Sequence, residues 1–440
     1  MIRLDLWLTL TSGEKLHAAE LVFGDTDRQG RYASAFRYTP IYLADPRAFA
    51  LDPAALPLTP GDFPGQQLDT PLMALEDALP DDWGRRLLIL RHGLPRGRQS
   101  EPHLLQALAG QGLGALGFYP PGQPPGQPTN EIASAAAMLE LDSLLNAAQR
   151  LEREVGDVGN PGSAAIDDAT RGLLAAGSSP GGARPKALVY DEHGQWIAKF
   201  PSRRDEVDMV GLEAASLELA RLAGLEVPES RLVELDSRRR VLLVKRFDLT
   251  PPASAAAHGR LHMLSFRALL QAGGYYVLRY ADLIAALRRY GAQPEADVPR
   301  LFRQMVFNAL LGNTDDHLKN FWLLADASGY RLSPAFDLLP DTGARREHVL
   351  LFDLTPLPPS PTELATLGRK WGVTGAAAIC QEVEAGVHRF GEIAAANNVP
   401  EAEINRFEQD IARRCRTLSP NSSPAYGGGE RKASSTRRSR

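Results

Sequence analysis

One stretch decides the fold, residues 301–324, which read LFRQMVFNALLGNTDDHLKNFWLL. Its first half carries apolar side chains at helical spacing, and Gly312 stands where that helix would end. Its second half, NTDDHLKN, is a dense polar loop that leads into the apolar run FWLL. The pattern therefore predicts a buried helix, a polar loop and a short strand in direct succession.

The polar loop has the spacing of a phosphoryl-transfer site. Asp315 precedes Asn320 by five positions, the separation found in the kinase pattern H-R-D-x-x-x-x-N. A carboxylate at 315 can orient an attacking hydroxyl, and an amide at 320 can hold magnesium. His317 and Lys319 are predicted to contact the nucleotide. A structural turn rich in Asn and Asp is the alternative, although so dense a polar cluster between apolar segments favours function.

A second metal ligand is expected seventeen residues further along. Asp337 follows a short strand in LSPAFDLLPD, where the magnesium aspartate of the kinase triplet D-F-G belongs. Asp337 alone could also be a helix cap. Together with Asn320, it would complete a pair of oxygen ligands for Mg²⁺.

A candidate phosphate-binding loop lies upstream, in GSSPGGARPKALVY (177–190). Its glycines let backbone amides approach an anion, and positive charge follows immediately before the strand ALVY. The alternative is a glycine hairpin turn with solvated basic residues. The predicted contacts are Gly181, Gly182, Ala183, Arg184 and Lys186.

A lysine on the next strand would complete the phosphate site. QWIAKF (195–200) should pair with ALVY as a hairpin, which places Lys199 on the same sheet, as in the kinase pattern V-A-I-K. Glu213, near the start of the following helix, could form an ion pair that fixes the direction of Lys199. The alternatives are a snorkelling surface lysine and a glutamate that interacts only with the helix dipole.

The strand VLLVKRFDL (241–249) is where the chain of a bilobal kinase would cross between lobes. Backbone groups there would meet the adenine edge, so Lys245, Arg246 and Phe247 are predicted nucleotide contacts. A sheet strand with a polar exit explains the pattern equally well.

The chain ahead of these motifs has strand and loop patterns. RLDLWLTL (3–10) and AELVF (19–23) predict paired strands, and the prolines of 39–65 exclude long helices. LPDDWGRRLLILRHG (79–93) predicts a helix capped by Asp81 or Asp82. Residues 134–154 and 212–223 also have helical spacing.

These patterns predict an α+β, bilobal protein kinase-like fold. A strand-rich N-lobe would follow an N-terminal subdomain, and the C-lobe would be all-helical but for short strands at 321–325 and 330–332. The predicted units are the N-terminal subdomain (1–118), a Pro-rich connector (119–134), the N-lobe with the phosphate-binding loop (135–248), the C-lobe with the catalytic loop (249–418) and a disordered basic tail (419–440).

Composition excludes several classes of protein. Hydrophobic residues make up 44% and charged residues 23%, which is typical of globular rather than disordered or fibrous chains. The sequence has neither a spanning apolar run nor a basic leader, so no membrane association and a cytoplasmic location are expected. Cys380 and Cys415 lie 35 positions apart, which favours neither a disulfide nor a zinc site. The net charge of −4 is the sum of +4 on the tail (419–440) and −8 on the remainder of the chain. Because that remainder is acidic, direct sequence-specific nucleic-acid binding is not expected.

The motifs resemble those of the HipA-type toxin serine/threonine kinases of toxin–antitoxin systems. GSSPGGARPKA, IAKFP, VKRFD, GNTDDHLKN and AFDLLPD follow in the order of that family's kinase domain. FRYTPIYLADPRAFALDPAALPL, LEDALPDDWGRRLL and GLGALGFYP are similar to its smaller N-terminal subdomain. The resemblance covers about residues 1 to 410. The loop departs from the best-known member at Asp316, where that protein has glycine.

The resemblance implies ATP and Mg²⁺ as cofactors and phosphorylation of a protein serine. Asp315 would be the catalytic aspartate, Asn320 and Asp337 the metal ligands, and Lys199 the phosphate lysine. Ser179 matches a serine that members of the family autophosphorylate to silence themselves. Known members modify an aminoacyl-tRNA synthetase, and a separate DNA-binding antitoxin, HipB, holds them inactive.

Two other functions are compatible with the residues. A small-molecule phosphotransferase would share the logic of the Asp-to-Asn loop. A catalytically silent module would act only by binding a partner or by corepressing an operon. The filled catalytic positions argue against the silent module.

Overall fold

The computed structural model describes residues 1–25, 27–29, 31–65, 72–126, 136–137, 140–156, 168–177, 184–251, 258–343 and 345–416. The predicted tail, residues 127–134 of the connector and residues 178–183 of the phosphate-binding loop lie outside the described residues. The unit boundaries at 118, 134, 248 and 418 stay predictions.

The N-terminal subdomain is built on a five-stranded antiparallel sheet. Leu4, Leu6 and Leu8 alternate onto one buried face, each at most 1% exposed, so the predicted first strand is confirmed. Its predicted partner pairs with it antiparallel, and the strand order is β4-β3-β2-β1-β5. The elements are β1 (Ile2–Thr9), β2 (Lys15–Phe23), β3 (Ser34–Tyr38), α1 (Pro40–Ala44), β4 (Asp62–Pro64), α2 (Met73–Glu76), α3 (Asp82–His92), α4 (Glu101–Leu108) and β5 (Leu116–Tyr119).

Helix α3 joins the subdomain to the rest of the molecule. Leu88 packs into the large core that the subdomain shares with the C-lobe, whereas Trp83 and Leu87 pack into a second core beneath the N-lobe sheet. Fully burying one such side chain stabilises the fold by about 1.5–3 kcal/mol. The helix therefore fixes the subdomain against both lobes.

The N-lobe sheet has the order β6-β7-β8-β10-β9. The predicted hairpin is confirmed, because β7 and β8 pair antiparallel across a turn at 192–193. The helix predicted to start at residue 134 begins later, since Ala136–Ala137 pair in parallel with β7. Hydrogen bonding to that strand overrides the helix propensity of alanine. The elements are β6 (Ala136–Ala137), α5 (Leu141–Gly156), α6 (Asp168–Gly177), β7 (Lys186–Asp191), β8 (Gly194–Lys199), α7 (Met209–Leu222), β9 (Ser230–Glu234) and β10 (Arg240–Lys245).

The C-lobe is mainly helical, but it holds more strands than the all-helical expectation allowed. The predicted strands at 321–325 and 330–332 form a three-stranded sheet with a third strand, β13, that no local pattern indicated. Gly312 ends the predicted long helix with a left-handed φ of 83°, which glycine adopts without strain. The elements are β11 (Leu249–Thr250), β12 (Gly259–Arg260), β13 (His262–Ser265), α8 (Phe266–Leu269), α9 (Tyr280–Tyr290), α10 (Pro294–Leu311), β14 (Trp322–Asp326), β15 (Gly329–Leu332), α11 (Pro361–Lys370), α12 (Ala376–Val387), α13 (Phe390–Ala396) and α14 (Glu401–Arg414).

Within the described ranges, every helix is too short or too polar to cross a lipid bilayer.

Candidate active site

Two lysines face each other where the N-lobe hairpin ends. The antiparallel register sets Lys186 at the start of β7 directly opposite Lys199 at the end of β8, so both side chains lie on the same face of the sheet. Lys186 is only 7% exposed. Burial, and then the charge of Lys199, lower the pKa of Lys186 to about 8. The two lysines are therefore adjacent at the end of the β7–β8 hairpin that lies farthest from its turn.

Lys199 is held by two carboxylates that come from distant parts of the chain. Its Nζ donates to Oδ1 of Asp337 at 2.8 Å and also to Oε1 of Glu213, which is buried on helix α7. Burial alone would lower the pKa of Lys199, but the charges of Asp337 and Glu213 hold it above its ordinary value. The structure thus brings together three residues that sequence reasoning had placed in one site.

Asp337 is an ionised and partly exposed carboxylate. The charge of Lys199 holds the pKa of Asp337 far below its usual range, against the effect of burial, and Lys186 and His317 lower it further. Its side chain keeps 44% of its exposure, so the carboxylate remains open to solvent. The backbone of Asp337 has a left-handed φ of 56°, a conformation that costs free energy in a residue other than glycine and is concentrated at functional sites.

The polar loop after α10 presents Asp315 to solvent and keeps Asn320 inside. The Asp315 side chain is 66% exposed, and its Oδ2 lies 4.0 Å from Nε2 of His317. Asn320 is 7% exposed, and its Nδ2 donates to the backbone carbonyl of Asp315 at 2.7 Å. Because that bond uses the amide nitrogen, Oδ1 of Asn320 is left to accept from a donor or to ligate a metal ion.

The neighbouring Asp316 is a structural anchor that sequence reasoning missed. It is fully buried, and the hydroxyl of Tyr280 donates to its Oδ2 at 2.6 Å. Burial, and then the charge of Asp316, raise the pKa of Tyr280 well above its ordinary value. The Nδ1 of His348 lies 2.9 Å from the same oxygen, and the amide of Val349 donates to Oδ1 at 2.8 Å. Asp316 therefore ties the loop to residues 348–350.

The N-terminal subdomain reaches the polar loop after α10 through Asp81. This residue precedes helix α3, but its side chain makes no capping hydrogen bond, so the prediction that it caps the helix is wrong. Its Oδ1 instead accepts from Nζ of Lys319 at 2.8 Å. The indole of Trp83 also donates to the backbone carbonyl of Lys186 at 3.2 Å. A carboxylate followed by helical spacing indicated only a cap, so no local pattern pointed to this contact.

The predicted adenine contacts divide into an aromatic residue that faces the site and two cations that pair elsewhere. Phe247 lies against Phe336, the neighbour of Asp337, with ring centroids 5.7 Å apart. Lys245 donates to Glu229 at 2.7 Å, and Arg246 forms a buried double hydrogen bond with Asp248. The structure therefore leaves the backbone, rather than these two side chains, to meet a base.

The phosphate-loop candidates are only partly described. Arg184 pairs with Asp205 and does not join the Lys199 cluster. Ser179, Gly181, Gly182 and Ala183 lie outside the described residues.

The side chains present fit magnesium and a nucleotide. Carboxylate and amide oxygens are the ligands that Mg²⁺ prefers, and Asp337 and Asn320 supply one of each. Nδ1 of His317 is buried beside them and meets no hydrogen-bond partner among the described residues. A phosphate oxygen or a water molecule could satisfy that orphaned atom.

Family comparison decides what this chain is. A model of the HipA-like C-terminal domain matches residues 178–407, which is more than half of the chain, and a model of the HipA N-terminal domain matches residues 16–119. The chain belongs to the HipA family. The two matches also separate the N-terminal subdomain from the part that carries Lys199, Asp315 and Asp337.

The chain is also similar to two curated proteins and to one solved structure. "Putative kinase Y4dM" of Sinorhizobium fredii is 33% identical over 33% of this chain and 37% of its own length, and "Putative kinase Y4mE" of the same organism is 33% identical over 32% and 34%. The chain thus spans about a third of the length of these curated relatives. The HipA of Shewanella oneidensis MR-1, solved with HipB and its operator DNA, is 19% identical with a TM-score of 0.62, covering 94% of this chain and 96% of that one. That likeness supports the bilobal kinase-like fold.

Proposed function

We propose that this HipA-type protein is an ATP- and Mg²⁺-dependent serine/threonine protein kinase that acts as a growth-inhibiting toxin. One observation carries the proposal: Lys199 is held between Glu213 and Asp337. Kinase catalysis requires a strand lysine paired to a helix glutamate, together with a metal-binding aspartate. The lysine, the glutamate and the aspartate meet here.

Each residue has a distinct task in this proposal. Lys199 binds the α- and β-phosphates, and Glu213 keeps its ammonium aimed at them. Asn320 and Asp337 would hold Mg²⁺, which neutralises charge on the transferring phosphoryl group. Asp315, the exposed carboxylate of the loop, accepts a hydrogen bond from the substrate hydroxyl and orients that oxygen for in-line attack.

Lys319 links this chemistry to the N-terminal subdomain. Its ammonium donates to the carboxylate of Asp81. A γ-phosphate would compete with that carboxylate for Lys319. The subdomain would therefore influence how the phosphate end of ATP is held.

Regulation and partners follow from the family resemblance. Phosphorylation of Ser179 would add about −2 charge close in sequence to Arg184 and Lys186, which would displace the phosphate loop and silence the enzyme. A DNA-binding antitoxin of the HipB type is the expected partner. The protein substrate would be an aminoacyl-tRNA synthetase.

The test is a labelling experiment with a matched variant. The purified chain, incubated with Mg²⁺, γ-labelled ATP and host lysate, should label a discrete protein band. Asp315→Asn should remove that label without loss of nucleotide binding, whereas Asp236→Asn, an exposed carboxylate on the β9–β10 turn, should leave it unchanged. Label that appears only in metabolites would overturn protein kinase activity in favour of a small-molecule phosphotransferase.

A further inference from the structure

Exposed apolar side chains are concentrated in two short segments. Among the described residues, eight large hydrophobic side chains are exposed, and five of them lie within residues 275–277 and 349–357. Scattered exposed apolar residues are ordinary, but a concentration of them marks an interaction surface. We call these five residues the apolar rim: Tyr275 (95% exposed), Val277 (62%), Val349 (38%), Leu354 (84%) and Leu357 (49%).

The two segments form one surface because their backbones are hydrogen-bonded. The amide of Leu351 donates to the carbonyl of Leu278 at 3.0 Å, and the amide of Tyr280 donates to the carbonyl of Leu351 at 3.1 Å. Farther along, the amide of His348 donates to the carbonyl of Pro356 at 2.9 Å and closes the second segment into a compact loop. Backbone hydrogen bonds therefore fix the position of the rim.

The same segments are fastened to the catalytic loop. The amide of Val349 donates to the buried Asp316, and the amide of Leu318 donates to the hydroxyl of Tyr276 at 3.2 Å. Asp316 directly follows Asp315, so the backbone of Val349 is hydrogen-bonded to the residue next to the exposed carboxylate. The apolar rim thus continues the surface on which a phosphate acceptor would sit.

Positive charge borders the rim. Arg345 and Arg346 are exposed, and neither forms an ion pair with a carboxylate in the described part of the chain. Arg279, which directly follows Leu278, is by contrast paired with Asp282. A partner that covers the rim would gain by presenting acidic side chains to this pair.

We propose that the apolar rim docks the segment of the substrate protein that carries the acceptor serine or threonine. The inference rests on the proposed function and narrows its substrate class. The docked segment has apolar side chains beside the acceptor hydroxyl and at least one acidic residue near it. A metabolite small enough to fit beside Asp315 would leave the rim uncovered, whereas a polypeptide would bury it.

The experiment compares rim variants with an exposed apolar residue elsewhere. Tyr275→Ser/Leu354→Ser removes the two most exposed rim side chains, and Ile41→Ser, at a 66% exposed position on α1, is the matched control. Labelling of lysate protein by γ-labelled ATP and the affinity for a fluorescent ATP analogue are measured for each. The rim variant should label protein at least tenfold more slowly with unchanged nucleotide affinity, and Ile41→Ser should match the wild type.

If the double variant does not bind the ATP analogue, the single variants Tyr275→Ser and Leu354→Ser are measured instead. Arg345→Glu/Arg346→Glu should also slow protein labelling severalfold, and the slowing should weaken as salt rises.

Other results would overturn the inference in distinguishable ways. Undiminished labelling by the rim variants would mean that the substrate docks elsewhere. If the wild type sediments as a dimer and the rim variant as a monomer, the surface belongs to a second copy of the chain. If the rim variant loses binding to a HipB-type partner but still labels protein, the surface belongs to the antitoxin. A wild type that binds the analogue but labels no protein would remove the proposed function itself.

Discussion

Nucleotide binding should be coupled to protonation of the Lys186 amine. It is buried opposite Lys199, and its pKa is lowered to about 8, first by burial and then by the Lys199 charge. About half of the molecules therefore carry a neutral Lys186 at pH 8. Phosphate oxygens beside the amine favour its charged form, so ATP should raise this pKa on binding.

The magnitude follows from the titration curve. If the pKa returns to its ordinary value near 10.4 in the complex, each ATP takes up about 0.1 proton at pH 7, about 0.5 at pH 8 and about 0.9 at pH 9. Since the free protein must gain that proton from solution, affinity should fall as the pH rises above 8, approaching tenfold for each unit.

Calorimetry can measure this uptake directly. A non-hydrolysable ATP analogue with Mg²⁺ is titrated into the protein at pH 8 in HEPES and in Tris, whose ionisation enthalpies differ. The difference in binding enthalpy gives the number of protons. Lys186→Arg, whose guanidinium stays charged, should remove the uptake, and Lys370→Arg on the exposed face of α11 should retain it.

Two results would refute this reasoning. Equal binding enthalpies in the two buffers at pH 8 would mean that Lys186 is already charged or does not meet the phosphates. The same uptake in Lys186→Arg as in the wild type would assign the proton to another group.

Four further outcomes are expected. Induction of the wild type without an antitoxin should slow growth while Asp315→Asn should not, and equal toxicity on growth curves would remove catalysis from the explanation. Ser179→Ala should lose self-phosphorylation, seen by mass spectrometry, yet remain toxic; persistent self-labelling would place the modified residue elsewhere. Tyr280→Phe removes the hydroxyl that donates to buried Asp316 and should destabilise the fold by about 1–3 kcal/mol, whereas an unchanged urea midpoint would contradict the anchoring role. Because the pKa of Asp337 is lowered on folding, its ion pair stabilises the protein above the ordinary carboxyl pKa and loses that effect as the pH falls below it. Asp337→Asn should therefore lower the free energy of unfolding by roughly 1 kcal/mol at pH 6, a figure discounted for the partial exposure of the side chain. The difference in urea midpoint between the wild type and this variant should narrow toward pH 2. A difference that does not change with pH would argue against the ion pair.

Local patterns predicted the elements that carry the site. The apolar stripe of 301–310 and Gly312 located α10 and its end, and the expected pairing of ALVY with QWIAKF located the hairpin that sets Lys186 opposite Lys199. The same reasoning failed for Ala136–Ala137, because an alanine-rich segment reports helix propensity and carries no signal of the strand edge that it joins.

Sequence alone determined which residues could do phosphoryl-transfer chemistry, since the Asp315–Asn320 spacing is set by one loop and its geometry is local. Only the tertiary structure decided which charges meet. Asp337 reaches Lys199 across 138 positions, and Lys319 reaches Asp81 across 238. Periodicity records which face of an element is buried, but it does not record what lies against that face. Those ionic partners are chosen when the subdomain and the two lobes pack together, so their identity is a property of the fold.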